Sequence, residues 1–158
     1  MVTVKGLLGT DTTLTITLAS LANGAGRSAA QYDGGTNFPI KGWISVKMSP
    51  GISPVAGNLF ELYLAYSDGQ SAENVTDGSD TDYGITTSDG PLSTKPINVQ
   101  SIGAIAMSGS TSPHRKVIPI FDLPQKWSLV AWNSTGDTLS TTAGDFEIKF
   151  VPQYDETV

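Results

Sequence analysis

The stretch DGQSAENVTDGSDTDYG, positions 68–84, carries five carboxylates and no Lys or Arg. Asp77, Asp80 and Asp82 are close enough in sequence to offer hard oxygen ligands together, the donor type that Ca²⁺ takes. An EF-hand loop, however, needs D-x-[DN]-x-[DN]-G and a closing Glu at its twelfth position. DGSDTDYGITTS has neither that order nor that Glu. Two readings stand: a weak calcium site on these three aspartates, or a solvated loop whose Asp and Gly residues build turns. The second is the expectation, with no resident cofactor. Carboxylate-pair catalysis is not expected, because no neighbour would raise one pKa as a general acid requires.

The sole histidine, His114 in SPHRK, is the one residue of the type whose unperturbed pKa lies near neutrality. A Ser–His–Asp site would have to be built on it, and no G-x-S-x-G nucleophile elbow is present. Pro113, Arg115 and Lys116 around it suggest an exposed turn, or a basic knob that docks on an acidic partner. NGAGRS at 23–28 lacks the G-K-[ST] ending of a phosphate loop and any helix behind it. The sequons at Asn74 and Asn133 matter only in a secreted glycoprotein. No enzyme is expected from this inventory.

The aromatic residues offer binding instead of catalysis. Trp127 and Trp132 are an odd number of residues apart, so on one strand they point to opposite faces. Trp43 alternates with Lys41 and Lys47 on what should be a wet face, and Tyr63 falls outward on the next strand. Core plugs, protein-interface anchors and sugar-stacking platforms all use such residues. Trp43, Tyr63, His114, Arg115, Lys116, Ile118, Ile120 and Trp132 are the expected interface residues.

The elements that must hold these groups are strands. Thr13–Leu21 (TLTITLASL) alternates Leu and Ile with Thr, and Ile40–Met48 and Asn58–Ser67 repeat the period of two. In the second, Ile40, Ile44, Val46 and Met48 share a face; in the third, Phe60, Leu62, Leu64 and Tyr66 do. Ile97–Met107 changes phase partway, which a bulge near Ser101 or Gly103 would reconcile. Arg115–Leu123 and Lys126–Asn133 are apolar on both phases, so each is covered on two sides or meets a partner. Pro119 confines the first to a sheet edge or bulge. A short strand at Leu139 and a last one over Phe146–Pro152 complete the pattern. No segment has helical periodicity. The expected fold is all-β: one antiparallel β-sandwich domain over residues 13–158, jelly-roll or Greek-key, with about 7–8 strands. Residues 1–12 are expected as an N-terminal arm and 68–84 as an acidic inter-strand loop.

At 158 residues the chain is long enough for one real core, and 39% hydrophobic with 15% charged content fits a folded domain. A net charge of −6 with scattered basic residues argues against nucleic acid as a partner. With no Cys there are neither disulfides nor thiolate chemistry. No apolar run reaches the ~18 residues of a membrane span, and MVTVKGLLGTDTT does not read as a signal peptide. A cytosolic product released later by lysis fits these features.

AYSDG leading through the acidic loop to DTDYG, and the run LPQKWSLVAWNSTGDTL, resemble small virion structural proteins of tailed bacteriophages. The likeness runs from about Thr13 to Val151 and is one of pattern, with no ligand or catalytic signature. It implies a β-sandwich on the particle: a capsid decoration (cement) protein on the capsid exterior, made in the host cytoplasm. The implied partners are the phage major capsid protein and further copies of the chain, commonly as a homotrimer. A tail- or fibre-associated module binding host glycans is the alternative that the resemblance leaves open.

Overall fold

The computed structural model describes residues 4–67, 90–92, 95 and 99–157. The acidic segment 68–84, with Asp77, Asp80 and Asp82, lies outside the described residues, as does Ile97.

Where a long strand has a clean period of two, the chain folds as that period dictates. In β5 (Lys41–Met48) every second residue from Gly42 is buried, so Ile44, Val46 and Met48 enter the core while Lys41, Trp43, Ser45 and Lys47 face outward. Ile40 precedes the strand and is 52% exposed, contrary to its expected inward place. In β6 (Leu59–Ser67) Phe60, Leu62 and Leu64 are sealed, with Glu61 and Tyr63 on the other side. β11 (Glu147–Thr157) buries Ile148 and Phe150.

These strands pack as two antiparallel sheets. One has the order β1–β11–β5–β9, from β1 (Val4–Leu8) to β9 (His114–Phe121), with β2 (Thr12–Thr13) also on β11. The other runs β7–β3–β10–β6–β8, through β7 (Gly90–Leu92), β3 (Ala25–Ser28), β10 (Lys126–Ser134) and β8 (Gln100–Ala106), with β4 (Tyr32–Asp33) also on β10. The pairs β1–β11, β3–β10, β5–β9 and β6–β8 are those of a long hairpin wound into a barrel-like sandwich. The fold is therefore a jelly roll of eight principal strands. Among the described residues the expected seven or eight become eleven, because β2, β4 and β7 are pieces of two or three residues.

The core lies between the sheets. At its centre Trp127 meets Tyr32 at 5.0 Å and the Phe150 ring edge-on at 5.1 Å. Burying such aromatic groups, with the aliphatic side chains of β5, β6 and β9 around them, supplies the main drive to fold.

Three expectations are corrected. Thr13–Leu21 is not a strand: only Thr12–Thr13 joins a ladder. Leu14, Leu18 and Leu21 do point inward, but the backbone crosses between sheets, bonding Ile148 through the Leu14 N–H and receiving the Ala30 N–H at the Thr15 carbonyl. Leu139 is buried without a strand, its N–H donating to the Leu21 carbonyl. Residues Val4–Leu8 of the expected arm form the edge strand β1 on their own chain's β11.

The bulge falls between the two expected positions: Leu62 pairs with Gly103 and Tyr63 with Ser101, leaving Ile102 as the extra residue. Gly103 takes φ 148°, a backbone that a side chain would strain.

Candidate functional site

The outer face of the β1–β11–β5–β9 sheet carries two exposed large apolar side chains of β9, Val117 and Phe121, whereas Ile52 and Val55 are exposed in the connection between β5 and β6. The pairing in this sheet places Trp43 between Pro119 of β9 and Val151 of β11. Along β9 the outward residues are Arg115, Val117, Pro119 and Phe121, with Val117 61% and Phe121 60% exposed. Trp43 and Val151 are half-buried beside them. Charged groups rim this strip. Lys47 lies opposite Arg115 and Lys41 opposite Phe121. Lys149 is held by Asp11 and Glu147, each at 3.1 Å, and Lys41 by Asp155 at 2.7 Å. The hydrogen bonds and charge of Glu147 and Asp11 hold the Lys149 ammonium above its ordinary pKa. An apolar centre with a charged rim is the anatomy of a protein interface.

Several expected interface residues prove to be elsewhere. Ile118 and Ile120 are core residues, 3% and 2% exposed. Both phases of β9 are apolar, and the register on β5 turns the Ile phase inward. Trp132 is also sealed. It packs with Ala65, Leu92 and Val130 on the outer face of the second sheet, flanked by Tyr63 and Val99. β10 is thus covered on both sides within one chain, and no partner is needed to explain its sequence. The indole of Trp132 lies over Gly26, where an added Cβ would come within 2.6 Å of the ring. Arg115 and Lys116 are exposed as expected, and His114 is half-buried, with its Nε2 3.4 Å from Ser108 Oγ. Val117 and Phe121 were missed because the apolar phase facing water was assigned to the isoleucines.

Trp43 and Tyr63 do not form one platform. They stand on the outer faces of different sheets, on opposite sides of the sandwich. The Tyr63 hydroxyl donates to Glu61 at 2.5 Å, and Lys95 donates to the same carboxylate at 2.9 Å. Burial pushes Glu61 up, but the bonds from Lys95 and Tyr63 outweigh it and hold the carboxyl below its ordinary 4.5. Burial, then the bond to Glu61, pushes the Tyr63 hydroxyl far up. A depressed carboxyl stabilises the fold above its unfolded pKa and loses that contribution as pH falls through its folded one. Glu61→Gln should accordingly flatten the acid-unfolding curve below about pH 4.5 relative to wild type. Identical acid limbs in the two proteins would contradict this.

The clefts hold no catalytic grouping among the described residues. One of about 580 Å³ lies over Ser49–Ile52 and Asp137–Thr141 and contains two carboxylates. Both are already engaged: Asp137 accepts the N–H groups of Ser53 and Thr138, at 2.7 and 2.8 Å, and Asp145 accepts Ser140 Oγ at 2.5 Å. They shape loops. Another of about 590 Å³, beside Thr13–Ile16, offers Lys47 and Glu147 and no nucleophile–base pair. No group of three His, Cys, Asp or Glu side chains able to hold a metal occurs among the described residues.

No protein-family model matches the chain, and no curated protein or solved structure matches it. No helix among the described residues is long and apolar enough to cross a membrane.

Proposed function

We propose that this chain is a non-enzymatic virion structural protein of a tailed bacteriophage, a capsid decoration (cement) protein. It binds the outer surface of the major capsid protein shell and bridges capsomers. The observation that carries this reading is the strip Val117–Pro119–Phe121 with Trp43, an apolar surface on a rigid sheet with basic residues at its end. A binding face built on a paired sheet presents its side chains without the ordering cost that a loop incurs. The jelly roll is a fold of viral shells and also of lectins, so the surface, not the fold, supports the assignment. The likeness of AYSDG and LPQKWSLVAWNSTGDTL to phage virion proteins supports it from the sequence side.

The test is co-sedimentation with purified shells that lack the protein. Wild type should be retained, with or without a chelator. Val117→Ser with Phe121→Ser should weaken binding about 100-fold, the effect of withholding two partly buried apolar side chains, ~3 kcal/mol together. No retention on shells at any concentration would overturn the proposal. The competing glycan-binding reading now rests on Trp43 alone. It predicts retention on host polysaccharide that Trp43→Ala abolishes, with no affinity for shells.

A further inference from the structure

We infer that Lys47 and Arg115, side by side at one end of the apolar strip, receive a carboxylate, so that the surface docked on this face is an acidic protein surface. This rests on the reading above that the strip is a docking face, and it specifies the chemistry of what is docked there.

The charge of this face runs against that of the chain. Among the described residues its outward positions carry Lys41, Lys47, Arg115 and Lys149, four of the nine Lys and Arg in the sequence. Three of the fifteen Asp and Glu stand with them, Asp11, Glu147 and Asp155. One positive charge is therefore in excess here, in a chain of net charge −6. The three carboxylates are already committed, Asp11 and Glu147 to Lys149 and Asp155 to Lys41.

Lys47 and Arg115 remain, and the β5–β9 register sets them directly opposite each other. Like charges so placed destabilise a ladder. Glu147 stands across from Lys47 on β11, yet its carboxylate is turned to Lys149. The Lys47 ammonium donates instead to a neutral acceptor, the Gly144 carbonyl, at 3.0 Å. The fold thus holds two cations together against their repulsion, and a carboxylate arriving from outside relieves it.

The pair suits that ligand. Arg115 offers a planar fork for both oxygens of a carboxylate, and Lys47 a point charge beside it. Outward residues of a strand recur about every 7 Å, so Val117 follows Arg115 at that spacing, and Pro119 and Phe121 continue the row. A partner segment that presents Asp or Glu, then apolar side chains at the same interval, fills both parts at once. The two ends of the strip differ, because Lys41, opposite Phe121, is already held by Asp155. Docking is therefore oriented, with the acidic end at Arg115. Two cations beside an apolar row make no stripe for a phosphate backbone. Lys116, next to Arg115 in sequence, is not part of this site. It lies on the other phase of β9, and its Nζ donates to the Ala104 carbonyl at 2.6 Å.

The experiment compares the full chain with two charge-matched double variants. Lys47→Gln with Arg115→Gln alters the site. Lys95→Gln with Lys126→Gln removes the same charge from the other side of the sandwich, where these lysines pair with Glu61 and Asp33. All four side chains are at least partly exposed, so both variants should stay folded. In the amide spectrum of labelled wild type, hexaglutamate at low salt should shift Lys47, Arg115 and their neighbours. The site variant should bind this peptide about tenfold more weakly, and the control variant as wild type does. On shells, the site variant should be retained about tenfold or more weakly than the control, with the difference shrinking as salt rises. No shift at the Lys47–Arg115 corner overturns the inference. Shells that retain both variants equally well also overturn it, while leaving the decoration reading standing. Wild type that takes hexaglutamate at this corner but never sediments with shells does the reverse: the site stands and the decoration reading falls.

Discussion

Asn133→Asp should cost about 3–5 kcal/mol of stability at neutral pH, the size expected when a buried charge is left without compensation. Asn133 is fully buried near the end of β10. Its Nδ2 donates to the Leu21 and Asp137 carbonyls, each at 2.9 Å, and its Oδ1 accepts the Thr135 N–H at 3.0 Å and hydroxyl at 2.7 Å. One amide thus ties the crossing segment, the end of β10 and the loop to Leu139 together. Aspartate keeps the shape and removes both donors, so a carboxylate oxygen faces two carbonyl oxygens in a dry site. Those neighbours raise the introduced carboxyl's folded pKa above its unfolded ~3.9. A raised folded pKa means that stability is lost as pH rises through it. The deficit should be small near pH 4 and full at pH 7, read as a pH-dependent fall in the urea midpoint. A deficit independent of pH would reject the two-donor role. The same burial leaves the Asn133 sequon unusable, since both amide hydrogens are engaged.

Trp127→Ala should be as damaging, about 3–5 kcal/mol, the usual range for emptying a core aromatic site. Trp127 has no exposed surface and is gripped by Tyr32 and Phe150, which themselves pack edge-on at 5.0 Å. Two β-sheets supply the walls, so the cavity cannot collapse without moving a ladder. A domain of this size has roughly 5–15 kcal/mol in all; this single change removes a large part of it. Thermal or urea unfolding measures the loss. Trp43→Ala is the internal contrast: its indole stands half-exposed on the outer face, so it should shift the unfolding midpoint little while weakening shell binding. If the two substitutions destabilise equally, the assignment of Trp43 to a binding face fails.

The amount of this legible in the sequence varied by element for physical reasons. Alternation in β5 and β6 assigned inward and outward faces correctly, because a strand with one polar phase has only one way to face a core. Pro119 announced an edge, since a residue without an N–H cannot sit between two ladders. The phase break before Met107 announced a bulge. Where polarity does not break the symmetry, alternation is silent. β9 is apolar on both phases, and the choice of Ile118 and Ile120 over Val117 and Phe121 for the core was made by registration on β5. For Trp132 the deciding neighbours are Leu92 and Val99, 40 and 33 positions earlier.

By itself, then, the sequence determined an all-β sandwich, its main faces, one edge and one bulge, because those follow from bonds and side-chain directions within a few residues. Tertiary structure alone decided the jelly-roll order and the crossing of Leu14–Leu21 between sheets. It alone also decided the Asn133 network and which apolar row meets water. Each of these depends on a partner far along the chain, and a strand's own pattern contains no information about what will be laid beside it.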